Sequence, residues 1–141
     1  MPPLFPSAPT FENALVRVWF FDDSATVVDQ VLSPAMDVAT ASFLAGEVQS
    51  AVAQRYQSKG RKVRFLHDWR ACTSYEVAAR ERLMEWGKIG RPMTEETIIG
   101  ISPSASPFLQ IALSTGTFVM RRIGMKISVV PNLDELLKGL E

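Results

Sequence analysis

The run Ala14-Leu15-Val16-Arg17-Val18-Trp19-Phe20-Phe21, the short Asp22-Asp23-Ser24 and the run Ala25-Thr26-Val27-Val28-Asp29-Gln30-Val31-Leu32 decide how this chain begins to fold. β-Branched and aromatic residues dominate both runs, and such side chains suit a pleated, half-buried surface. A link this short between two strands predicts an antiparallel hairpin. Outward from the hairpin the periodicity changes. Across residues 37–59, Val38, Ala41, Ala45, Val48 and Val52 recur at steps of three and four, the apolar stripe of a helix. Asp37 is placed to cap its start, and Gly60 to end it in a left-handed conformation. Residues 62–67, Lys62-Val63-Arg64-Phe65-Leu66-His67, read as a third strand. A strand reached through a long helix is predicted to lie parallel to the strand before it.

The same alternation continues to the end of the chain. A second helix is predicted over 74–87, burying Tyr75, Ala79, Leu83 and Trp86, with Glu76 and Arg80 paired four residues apart. Thr97–Ser102 reads as a strand, 105–122 as a helix and Met125–Val130 as a strand. Asn132 is placed to cap a final helix carrying Leu133, Leu136, Leu137 and Leu140. Pro34, Pro92, Pro103, Pro107 and Pro131 all fall at the joints, where they interrupt nothing. The order ββαβαβαβα predicts a single α/β domain, its sheet mostly parallel and entered through an antiparallel hairpin. Parallel strands covered by helices on both sides read as continuous apolar runs, so Val18, Phe20, Phe65, Ile99 and Val129 are expected in the core. Residues 1–13, with four of the nine prolines in the first nine positions, are expected to form an extended arm before the domain of residues 14–141.

Composition excludes several chemistries. With 15 basic and 15 acidic residues the chain lacks the cationic excess of a nucleic-acid binder. One cysteine, Cys72, rules out an internal disulfide, and one histidine, His67, makes a histidine-based metal site hard to build. No metal or cofactor is expected. The longest apolar stretch, Pro107–Met120, is broken by Gln110, Ser114, Thr115, Gly116 and Thr117, so no transmembrane helix is expected. The start has neither a basic region nor an uninterrupted apolar run, which points to a cytoplasmic protein without an export signal.

Three segments carry a family resemblance: 62–69 (Lys62 to Trp69) leading into Thr73-Ser74-Tyr75-Glu76, then Ile98-Ile99-Gly100-Ile101-Ser102-Pro103-Ser104, then 127–137 (Ile127 to Leu137). With the order and lengths of the elements, they resemble the STAS domain of bacterial anti-sigma-factor antagonists, nearest its SpoIIAA-like (STAS/SEC14-type) branch, over roughly residues 14–140. The resemblance implies a bacterial regulatory module that binds protein partners. It also implies a phosphoacceptor at the start of the second helix, where Thr73 and Ser74 stand. The antagonists' Asp-Ser-Ser-Gly run is here Cys72-Thr73-Ser74-Tyr75. Related SEC14-type proteins bind lipids, which implies an apolar-ligand carrier or sensor as the alternative.

The residues themselves offer further readings. Thr73 and Glu76 have the spacing of a capping box, which accounts for Thr73 without phosphorylation. Cys72, beside His67 and Asp68, raises a cysteine-dependent enzyme as the weakest reading. Arg55, Lys59, Arg61, Lys62 and Arg64 form either an anion-binding patch or an ordinary basic helix end. The uncharged helix of Pro107–Met120 is the least ordinary feature. Phe108, Ile111, Ala112 and Thr115 lie along one side, and Leu109, Leu113, Gly116 and Met120 along another. Either the helix is wholly buried within the monomer, or one face lies on the sheet and the other against an identical helix of a homodimer, a partner protein or an apolar ligand. A closed internal pocket lined by Phe108, Ile111, Leu113 and Met120 favours the ligand, and a flat exposed patch favours the interaction module. A non-enzymatic interaction module is the leading expectation.

Overall fold

The computed structural model describes residues 1–141. Eight strands run Phe11–Glu12 (β1), Val16–Phe21 (β2), Thr26–Val31 (β3), Ala35–Met36 (β4), Val63–Asp68 (β5), Ser74–Tyr75 (β6), Thr94–Gly100 (β7) and Ile127–Val130 (β8). The helices are Val38–Phe43 (α1), Gln49–Arg55 (α2), Val77–Gly90 (α3), Pro107–Arg122 (α4) and Leu133–Leu137 (α5). A π-helical turn, Leu44–Val48, joins α1 to α2 without a break. The main sheet has the order β1-β2-β3-β5-β7-β8, antiparallel through β3 and parallel from there on. The chain is thus a single α/β domain with a mostly parallel sheet and an N-terminal antiparallel hairpin, as expected.

From β3 onward each new strand is added on the same side of the last. Crossovers of one hand then place every connecting helix on one face of the sheet. The buried cluster on that face joins Val18, Val27, Phe65 and Ile99 to residues of α1 to α4. The opposite face is covered differently from the expectation of helices on both sides. Trp19, Val28, Leu66 and Ile98, aligned across four neighbouring strands, lie under Phe5 of the N-terminal arm and under Leu133 and Leu137 of α5. The arm is held by more than apolar burial. Trp19 Nε1 donates to Ser7 O at 2.9 Å, and Gln30 Nε2 donates to Pro2 O at 2.9 Å. Part of the arm, β1, also joins the sheet. Of the five residues expected in the core, Val18, Phe65 and Ile99 are buried, whereas Phe20 and Val129 are half-buried near the sheet's ends.

The first helix keeps its apolar stripe with an altered phase. Ala41, Leu44, Val48, Val52 and Tyr56 are buried, while Val38 is exposed and Ala45 half-buried. Repeated four-residue steps drift around an ideal helix. The wider i→i+5 turn at Leu44–Val48 lowers the rotation per residue and keeps these side chains facing the sheet. Gly60, at φ +75°, ends the segment as expected.

The second helix starts later than expected. Thr73 N and Ser74 N both donate to Pro34 O, at 2.7 and 3.1 Å, and Glu76 N donates to Met36 O at 3.1 Å. These bonds draw Ser74–Tyr75 into a short parallel pairing with β4, so α3 begins at Val77 with Glu76 as an N-cap that makes no side-chain bond. The capping box of Thr73 and Glu76 therefore does not form, and Glu76 makes no ion pair with Arg80. Asp37, in contrast, caps α1 by accepting from Thr40 N at 2.8 Å. Asp37→Ala is expected to cost about 1 kcal/mol, the usual loss for a cap. Thr73→Ala is expected to cost no more than about 0.5 kcal/mol, as for an ordinary surface position. Parallel urea titrations of both variants check the difference.

The basic cluster is largely occupied by the fold. Arg55 grips Asp22 in the β2–β3 turn with two bonds of 2.7 and 2.6 Å, and Arg61 Nη1 donates to Asp22 O at 2.6 Å. Arg64 pairs with Glu96 at 2.8 Å. Only Lys59 and Lys62 remain, too few for the anion-binding patch. Bonds from Arg55 and the Tyr56 hydroxyl hold the Asp22 carboxyl down to about 2 from an ordinary 3.8. A carboxyl held low in the folded state adds stability above its ordinary value and loses it as pH falls towards its folded one. Wild-type protein is expected to lose stability relative to Asp22→Asn between pH 4 and pH 2, a modest effect because the pair is exposed. Denaturant midpoints of the two proteins across that interval check it.

Candidate functional site

The parallel register sets the floor of the site. Asp29 on β3 is aligned with His67 on β5, Ile99 on β7 and Val129 on β8. Aligned residues of adjacent strands project to the same face, here the one beneath α3 and α4. Phe65, His67 and Trp69 follow one another along that face. The imidazole stacks on Phe65 with centroids 5.9 Å apart, lies 5.5 Å from the Trp69 ring and meets Trp86 of α3 edge-on at 5.9 Å. His67 Nδ1 bonds to Asp29 Oδ2, and both side chains are buried. A hydrogen-bonded histidine and carboxylate thus sit within an aromatic wall.

Over this floor lies a cavity of about 80 Å³. Phe65, His67, Thr97, Ile99 and Ile127 of the sheet line its base. Leu83, Met84 and Trp86 of α3 and Ala112, Leu113 and Met120 of α4 line its sides. The sequence leaves this space through small residues facing it. A Cβ added at Gly116 would meet no atom within 4 Å. At Gly87 the opposite holds. A Cβ there would overlap Met120 Cε, the flexible end of that side chain, so a larger residue at Gly87 would displace the methionine at the cavity's edge. Two buried polar atoms on lining residues, Trp69 Nε1 and Thr97 Oγ1, have no hydrogen-bond partner in the protein, and neither has Asp29 Oδ1. Buried polar groups are seldom left so. No Lys, Arg, Asp or Glu side chain lines the cavity.

The expected site residues divide between the faces of α4. Leu109, Leu113 and Met120 are buried, and Ala112 and Gly116 are half-buried beside the cavity. Phe108 at 86%, Ile111 at 63% and Phe118 at 61% are exposed, with Thr115 among them. Leu113, at 4% exposure, belongs to the monomer's own core and is not part of a face of α4 open to a partner. Thr73 and Ser74 are exposed, and the Thr73 hydroxyl donates to Pro34 O at 3.1 Å. Both precede α3 by several residues, outside the favourable end of its dipole.

Cys72 and His67 are not brought together. The Cys72 thiol points to Ser33 O at 3.9 Å, and burial, with Asp29 and Asp68 nearby, pushes it up to about 12. That is the reverse of an activated nucleophile. The residue missed at the sequence level is Asp29. Its signal was present: it is a carboxylate in phase with Val27 and Val31, on the inward side of an apolar strand.

No protein-family model matches this chain, and no curated protein matches it. No helix is long and apolar enough to cross a membrane.

Proposed function

We propose that this protein is a non-enzymatic binding module of STAS-like architecture whose cavity under α3 and α4 takes a small apolar ligand, as a carrier or sensor. The carrying observation is the cavity itself: mainly apolar, without a charged Lys, Arg, Asp or Glu, and walled by aromatic rings and methionines with a few polar side chains among them. Binding pockets for small molecules have this composition, a mainly apolar lining and few oriented polar groups. Thioether side chains such as Met84, Met120 and Met125 adapt their shape to an occupant at little cost. The non-enzymatic part is supported by Cys72, a buried thiol bonded away from His67. Native mass spectrometry of the purified protein tests for a retained small molecule. Methyl NMR during titration with toluene and with phenol tests the cavity directly. Shifts at Met84, Met120 and Met125 are expected, and their absence with both toluene and phenol at saturation overturns the reading.

The outer face of α4 favours a second reading, a protein-interaction module that includes a homodimer. Phe108, Ile111 and Phe118 form an exposed apolar row on one helix face. Sedimentation at tens of micromolar protein is expected to give a dimer, and Ile111→Glu a folded monomer. A wild-type monomer removes the homodimer.

A further inference from the structure

We infer that the cavity selects a small, neutral aromatic ligand bearing one hydroxyl, for which phenol is the simplest representative, and that His67 receives the hydroxyl. The inference rests on the ligand-binding reading above and names its ligand class.

Size sets the first limit. The cavity, about 80 Å³, is smaller than the roughly 150 Å³ engineered cavity that accepts benzene. The enclosed part of an occupant is therefore no larger than about one ring, seated by displacement of methionine side chains. Shape and surface set the second limit. Phe65, Trp69, Tyr75 and Trp86 offer ring faces and edges, which suit a planar aromatic through offset or edge-on packing.

Charge sets the third. No lysine or arginine lines the cavity, and its one imidazole is already bonded to Asp29. An anionic head would meet an imidazole already bonded to a carboxylate, with no lysine or arginine to compensate its desolvation. A neutral head meets no such penalty. Since Nδ1 is committed to Asp29, Nε2 is the nitrogen left for a ligand, and it makes no bond within the protein. A hydroxyl both donates and accepts, so it matches Nε2 in either protonation state of the ring. Thr97 Oγ1 and Trp69 Nε1, on lining residues, are further polar atoms without a protein partner.

The test compares phenol, toluene and benzoate on the full chain by NMR. Toluene has nearly the shape of phenol but leaves Nε2 unpaired. Phenol is expected to bind about threefold to tenfold tighter than toluene, the net worth of one buried hydrogen bond. Benzoate is expected not to bind. His67 is the chain's single histidine, so its imidazole nitrogen resonances are unambiguous. Phenol is expected to shift the Nε2 resonance, and toluene to leave it nearly in place. Gly116→Leu adds bulk where a Cβ meets open space, and it is expected to remain folded and bind neither ring. Toluene binding as tightly as phenol, or benzoate competing with phenol, overturns the hydroxyl assignment and leaves the apolar-ligand reading standing. Phenol binding unchanged in folded Gly116→Leu places the site elsewhere and overturns the inference. If neither ring enters the wild-type protein, the ligand-binding reading falls, and this inference with it.

Discussion

Asp29→Ala is expected to destabilise the fold by about 3–5 kcal/mol, because it removes one partner of a buried hydrogen-bonded pair and leaves the other. Asp29 lies on β3, flanked by β2 and β5, and is 1% exposed. Its loss orphans His67 Nδ1 in a setting of aromatic rings. His67→Phe alone is expected to be costly for the mirror-image reason, since it leaves a carboxylate buried and unpaired. The double variant, Asp29→Ala with His67→Phe, is expected to cost clearly less than the sum of the two. A coupling of about 1–3 kcal/mol is the range for residues in direct contact. Urea denaturation of the four proteins checks this, and additive losses would mean that the pair is energetically independent.

Phe65→Ala is the second large effect, again about 3–5 kcal/mol. The ring lies at the centre of the parallel part of the sheet, edge-on to Trp86 at 5.3 Å and stacked on His67. It also lines the cavity, so truncation enlarges an existing space that the surrounding sheet and helices do not collapse to fill. Phe20→Ala is the informative control. Phe20 carries the same side chain on β2, but it is half-buried and packs on Tyr56 and under Arg55. Its loss is expected to be smaller by at least about 1 kcal/mol, because less apolar area leaves water on folding. Chemical denaturation of both variants decides the order. A loss below about 1 kcal/mol at Phe65 would contradict its place in a central strand.

The segments legible in the sequence share one property: their signal is local. The hairpin of Val16–Phe21 and Thr26–Val31 follows from two β-rich runs and a link too short for any other pairing. The Asp37 cap and the left-handed Gly60 follow from residue types at the ends of a periodic stripe. The late start of α3 was not legible, because the bonds that pull Ser74–Tyr75 into a strand come from Pro34 and Met36, distant in the chain. The covering of the second sheet face was not legible either. A proline-rich start carries no periodicity, and Phe5 acquires a role only when Trp19 and Phe21 stand beneath it at ring centroid distances of 5.3 and 4.9 Å.

By itself, the sequence determined the α/β class, the antiparallel entry, the parallel continuation and the excess of apolar surface on α4. Each rests on periodicity, punctuation or composition, which neighbouring residues express without reference to the rest of the chain. Only the tertiary structure decided which face of α4 meets the sheet, that all four connecting helices share one face, and that Asp29 stands beside His67. The physical reason is register. Parallel strands joined through a long helix carry no turn that sets their alignment, so the pairing of Asp29 with His67 emerges only when the whole sheet packs under its helices.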